Sequence, residues 1–141
     1  GRVSYQLNDD ELYDLVYQQV SHFQKLCHNN SVSLEYVKPH GALYHDMMEK
    51  PLVLDVICRV IKAVDENLKL VVQAGVKNFG NNKNVTFLHE VFADRGYNGV
   101  EMINRGEQGA VLDSASAIVK QYQHFLSENS FKIDTICFHS G

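Results

Sequence analysis

An amine, an imidazole and a glycine fall within four residues at Lys38-Pro39-His40-Gly41, and Ala42-Leu43-Tyr44-His45 follows directly. A lysine can stabilise developing negative charge and a histidine can carry a proton near neutral pH, so the cluster reads as a reactive site. The apolar run at 34–37 before it reads as a strand, which Pro39 ends because it has no amide hydrogen for a ladder. Lys38 and His40 are therefore expected at that strand's C-terminal tip.

Three more β-rich runs end in groups able to bind or transfer protons: 68–74 in Gln73 and Gly75, 86–93 in Asp94 and Arg95, and 133–138 in His139. In parallel α/β folds the residues at the carboxyl ends of strands line the ligand crevice, whether the sheet is open or closed. Four tips are expected to build one site. Alternate residues of a strand share a face, which groups Tyr36 with Lys38 and His40, Glu90 with Phe92 and Asp94, and Thr135 with Cys137 and His139. Glu90 then lies inward, where a buried carboxylate needs a cationic or hydrogen-bonding partner; Lys38 is the one expected.

The elements that must hold these groups are legible from period and punctuation. Asn8-Asp9-Asp10-Glu11 has the form of a capping box, and Leu12, Leu15, Val16, Val20, Phe23, Leu26 and Cys27 follow as one helical stripe that runs out near Asn29 and Asn30. Pro51 suits the first turn of a second helix with Val53, Val56, Ile57, Val60, Ile61 and Val64 on its apolar face. Asp113 is the expected cap of a last helix carrying Ala117, Ile118, Tyr122, Phe125 and Leu126. Strands alternating with such helices predict an α/β fold with a mainly parallel sheet. A small ribbon is expected around 100–103 within the longer link at 96–108, whereas 75–84 is rich in Gly and Asn and short. Gly75-Val76-Lys77-Asn78-Phe79-Gly80 imitates the start of a phosphate loop, but Asn81 and Asn82 stand where Lys and Ser or Thr belong.

Composition narrows the partners. At 141 residues and 45% hydrophobic the chain can bury one moderate core, so residues 1–141 are expected to form a single domain. Thirteen basic against 17 acidic residues, spread without blocks, leave no basic stripe for nucleic acid or an anionic membrane, which favours small-molecule partners. Cys27, Cys58 and Cys137 are odd in number and far apart, reading as core thiols of a cytoplasmic protein. A parallel strand ending the chain without a covering helix reads as a C-terminal-side piece of a longer polypeptide.

Val37-Lys38-Pro39-His40-Gly41-Ala42-Leu43-Tyr44 resembles the signature of the LamB/YcsF family, which supplies the A subunit of bacterial 5-oxoprolinase. Glu90-Val91-Phe92-Ala93-Asp94-Arg95, Arg105 with Gly109-Ala110-Val111, and Thr135-Ile136-Cys137-Phe138-His139 agree in the same order. The sequence departs from that pattern at Gly106-Glu107-Gln108 and at Ser140-Gly141. The resemblance implies part of a distorted seven-stranded (β/α) barrel similar to the glycoside hydrolase/deacetylase type, with the N-terminal strands missing. It also implies hydrolysis of 5-oxoproline to glutamate coupled to ATP hydrolysis, with Mg and ATP bound mainly in a complex with the B and C subunits; self-association is left open.

On chemistry, Lys38 and Arg95 are expected to stabilise a carboxylate or oxyanion, His40 to shuttle a proton, and Asp94 to orient the histidine or water. Tyr44, Gln73, Gly75, Glu90, Arg105 and His139 complete the residues expected around substrate, with no metal required. Competing readings make Lys38 and Arg95 structural partners of Glu90 and Asp94, join His40, His139 and Asp94 as metal ligands, or pack Tyr44, Met47 and Met48 under a loop. At the level of function the alternatives are a metal-dependent carbohydrate deacetylase and a noncatalytic fragment.

Overall fold

The first helix forms where its cap signal lies. In the computed structural model, which describes residues 3–75, 82, 84–128 and 130–138, the side-chain oxygen of Asn8 accepts the Glu11 amide at 3.0 Å. The Glu11 carboxylate accepts the Asn8 amide in return at 2.9 Å. Both satisfy donors that a helix start leaves open, and the acidic first turn complements the positive end of the helix dipole. Helix α1 (Asp9–Asn29) packs on α3 (Pro51–Val64) through Leu12, Val16 and Val20, a line kept straight by the four-residue step. Leu15, Leu26 and Phe23 do not join it; Phe23 is 56% exposed, so the buried stripe is narrower than the sequence pattern predicts.

The chain groups into two compact units: residues 1–72 with 76–87, and residues 73–75 with 88–141. In the first, strand β1 (Tyr36–Val37) runs parallel to β2 (Lys69–Gln73), with Tyr36 opposite Lys69 and Val37 opposite Leu70. Leu70, Val71 and Val72 are consecutive and all buried, as a strand covered on both faces requires. An unexpected helix, α2 (Ala42–Glu49), follows the Lys38–His40 tip and packs on α3 with Tyr44 and Met47 buried. Helix α3 opens on Pro51 at its first turn and buries Leu54, Val56, Ile57, Cys58, Val60 and Ile61. Cutting one of its fully buried isoleucines to alanine would cost roughly 2–5 kcal/mol. Burial, with Asp55 nearby, pushes the Cys58 thiol up to about 12, the behaviour of a core thiol rather than a nucleophile.

In the second unit the end of β2, strand β3 (Thr86–Phe92) and strand β6 (Thr135–Cys137) lie side by side. The Ala74 amide donates to the Glu90 carbonyl at 2.8 Å. On the other side Glu90, Val91 and Phe92 pair in parallel with Thr135, Ile136 and Cys137. Ala74, Val91 and Phe125 form the core here, with Tyr97, Phe131, Ile133 and Ile136 packed against it. Phe125 comes from helix α4 (Ala115–Ser127), whose cap is Ser114 rather than the expected Asp113: its hydroxyl accepts the Ala117 amide at 3.3 Å. The ribbon predicted around 100–103 is a hairpin of β4 (Tyr97–Asn98) and β5 (Glu101–Met102), turned by Gly99 at φ 64°.

The β3–β6 ladder is pinned at its start by one carboxylate. Asp134 accepts the His89 amide at 2.9 Å and meets the His89 ring at 2.8 Å and Lys132 at 3.1 Å. Burial works to raise this carboxyl, but the two His89 contacts and Lys132 outweigh it and hold the group below its ordinary value.

Replacing Asn8 with alanine should cost about 1 kcal/mol of stability in chemical denaturation, with the native fold retained. A depressed folded-state value means that the Asp134 contribution is complete above the ordinary carboxylate range and lost as the pH falls through the lowered value. Acidification across that range should therefore lower Tm more steeply in wild type than in Asp134→Asn; parallel slopes would contradict the assignment.

Candidate active site

The loop that follows β3 is organised by a buried guanidinium. Arg95 is 6% exposed, and its Nε donates to the Ala110 carbonyl at 2.7 Å while Nη2 donates to the Ile103 carbonyl at 2.6 Å. Main-chain bonds reinforce the same junction: Gly96 donates to Ala110 at 3.0 Å, Ile103 to Gly96 at 2.9 Å, and Leu112 to the Asp94 carbonyl at 2.8 Å. The Gln121 side chain of α4 donates to the Arg95 carbonyl. Glycine is required at 96, since a Cβ there would stand 1.9 Å from the Gly109 carbonyl oxygen. Burial lowers the Arg95 pKa, as does the like charge of Arg105, while Tyr97 and Asp94 push it up. The guanidinium thus holds the 103–110 segment against the β3 tip through backbone acceptors, where a carboxylate or substrate was expected as its partner.

Five other predicted residues lie in the same unit. Glu90 is 3% exposed, buried on β3 as the strand period predicts. Asp94 is half-buried just beyond the strand, and Arg105 is exposed on the segment that Arg95 secures. Gln73 closes β2. Gly75 follows at φ 82°, where a Cβ would come within 2.8 Å of the Val100 side chain, so its part is a close backbone approach only glycine permits.

Lys38, His40 and Tyr44 belong to the first unit. Lys38 is half-buried and His40 exposed immediately after β1, separated by the buried Pro39. Gly41 adopts φ 62° and starts α2 without a side-chain cap, turning the chain sharply after the histidine. Tyr44 is buried on α2, its ring edge-on to His45 with centroids 6.1 Å apart, so its environment is that of a packing residue. A hollow of about 370 Å³ at the C-terminal end of α1, between Lys25, His28 and Asp65, contains none of these residues. His139 and most of the Gly75–Gly80 motif lie outside the described residues.

Sequence reasoning missed Tyr97. Its hydroxyl oxygen accepts the Phe92 amide at 2.9 Å and its ring stands edge-on to Phe125, centroids 5.3 Å apart at 83°. Burial raises the phenol to about 12; Glu90 and Asp94 push the same way, against the Phe92 amide and Arg95. The available signal was its place directly after Asp94-Arg95-Gly96.

The sequence profile described as the LamB/YcsF family matches residues 1–141. The chain belongs to the LamB/YcsF family. It is 37% identical to the 5-oxoprolinase A subunit of Pseudomonas fluorescens, over 86% of this chain and 51% of that protein. It is 35% identical to the corresponding A subunit of Vibrio cholerae, over 99% of this chain and 62% of that one. The chain therefore spans between half and two thirds of the length of these LamB/YcsF relatives. The lactam utilization protein of Thermus thermophilus, a solved structure, superimposes with a TM-score of 0.88 over 97% of this chain and 61% of its own, at 23% identity, showing the same α/β fold.

Gly96→Ala should destabilise the protein by roughly 1–3 kcal/mol or more through overpacking. Gly106→Ala, where a Cβ meets nothing within 4 Å, should stay within about 0.5 kcal/mol of wild type. Urea unfolding of the two variants checks the contrast.

Proposed function

We propose that this chain acts as part of a 5-oxoprolinase A subunit, opening the lactam ring of 5-oxoproline to give glutamate. The observation that carries the reading is the Lys38–His40 pair, set directly beyond β1 in a chain whose whole length matches the LamB/YcsF family. Ring opening requires water to add to the lactam carbon, the ring C–N bond to break, and the departing nitrogen to gain a proton. Lys38 stabilises the negative charge that develops on the carbonyl oxygen, and His40 carries the proton to nitrogen. Asp94 orients the attacking water. Arg105, exposed on the loop that Arg95 holds, takes the substrate carboxylate, and Arg95 acts by positioning.

ATP coupling and the B and C subunits belong to the same proposal; the name A subunit carried by the relatives supports the presence of partner subunits. ATP, when bound with Mg, supplies a phosphoryl group that activates the lactam oxygen. The like charge of Arg105 acts on the buried Arg95, so an anion bound at the exposed Arg105 would be favoured by both.

In the complete protein assayed with the B and C subunits, Lys38→Ala and His40→Ala should each lower 5-oxoproline-dependent ATP hydrolysis and glutamate release by on the order of a hundredfold or more. Near-normal turnover in both would remove the pair from the reaction.

A further inference from the structure

We propose that the Tyr97 hydroxyl donates a hydrogen bond to an oxygen of the bound substrate, the lactam carbonyl or the carboxylate of a small cyclic amide acid. The assignment rests on the lactam-opening reading above and adds a residue to it. Three features of the geometry carry it. The Tyr97 oxygen accepts the Phe92 amide at 2.9 Å, so its position at the end of β3 is fixed from the backbone. The ring is held edge-on by Phe125, which restricts its swing. A phenol both donates and accepts, and with its oxygen occupied by that amide the proton is directed elsewhere; among the described residues no group accepts it.

The surroundings suit a neutral donor. Glu90 and Asp94 lie near enough to disfavour the phenolate, and burial acts in the same direction, so the proton stays on the oxygen throughout the neutral range. A donor held in place before the reaction stabilises a growing negative charge on a carbonyl oxygen without reorganising during the step. No bond to Tyr97 forms and its proton is not transferred. Arg95 ties the segment that follows Tyr97 to the end of β3 through the Ile103 and Ala110 carbonyls.

The test compares Tyr97→Phe and Ile133→Ala in the complete protein with its partner subunits, reading kcat, KM and Tm. Tyr97→Phe should lower kcat/KM for 5-oxoproline by tenfold or more. Ile133→Ala, which loosens the same core without touching the Tyr97–Phe125 contact, should lower Tm at least as far while kcat stays within about twofold. Should Tyr97→Phe fold poorly, fluorotyrosine at 97 keeps the hydroxyl and its size while making the phenol more acidic; the alkaline limb of activity should then move to lower pH. Tyr97→Phe within twofold of wild type, losses that track Tm equally in both variants, or an unmoved alkaline limb would overturn the proposal. A wild-type complex that turns over no 5-oxoproline would defeat the lactam reading and this assignment together, whereas an active wild type with an indifferent Tyr97 defeats the assignment alone.

Discussion

A guanidinium buried against two main-chain carbonyls sets the geometry of the second unit's strand-tip loop. Burying a charge is costly unless it is hydrogen-bonded, and bonds from a charged donor contribute about 1.5–3 kcal/mol each against the larger loss if one partner goes missing. Arg95 meets that requirement by binding Ile103 and Ala110, and the cost of breaking either bond is what holds a segment of irregular backbone in one conformation. Gly96 lets the two chain segments touch where any side chain would separate them. Asp94 and Tyr97, on either side of this junction, take their positions from it.

In the second unit the groups around the strand tip divide into rigid and accessible ones. Glu90 is locked in β3 between β2 and β6, and its charge reaches Tyr97. Arg105 is exposed but sits on a secured segment, so it can meet an anion without a large ordering cost. In the first unit the Lys38–His40 tip is framed differently: Pro39 stiffens the backbone between the two side chains, and the left-handed Gly41 turns the chain at once into α2, whose Tyr44 and Met47 anchor it. A short helix tied into the core by two residues holds this tip more firmly than the loop expected there.

Elements announced by side chains were legible in the sequence. The Asn8–Glu11 capping box, Pro51 at a helix start, the parallel pairings and the family resemblance of Val37 to Tyr44 could all be read from residue types at fixed offsets. What escaped was set by the backbone. Helix α2 begins on Gly41 with no capping side chain, and one turn of apolar spacing is too little to signal it. Asp113 and Ser114 are both good caps in adjacent positions, and only the local turn selects the serine. The partners of Arg95 are carbonyls, which every residue owns, so its sequence pointed to carboxylates instead. Tyr97 reaches the Phe92 amide only because the chain folds back within five residues, a contact that periodicity does not describe.

The claim that Arg95 governs this loop is most directly tested by amide hydrogen exchange in wild type and Arg95→Gln. The amides of Gly96, Ile103 and Leu112 should be protected in wild type and lose protection together in the variant, while that of Ala93, bonded to Cys137 at 2.9 Å, keeps its own. Unchanged protection of all three loop amides in Arg95→Gln would contradict the account.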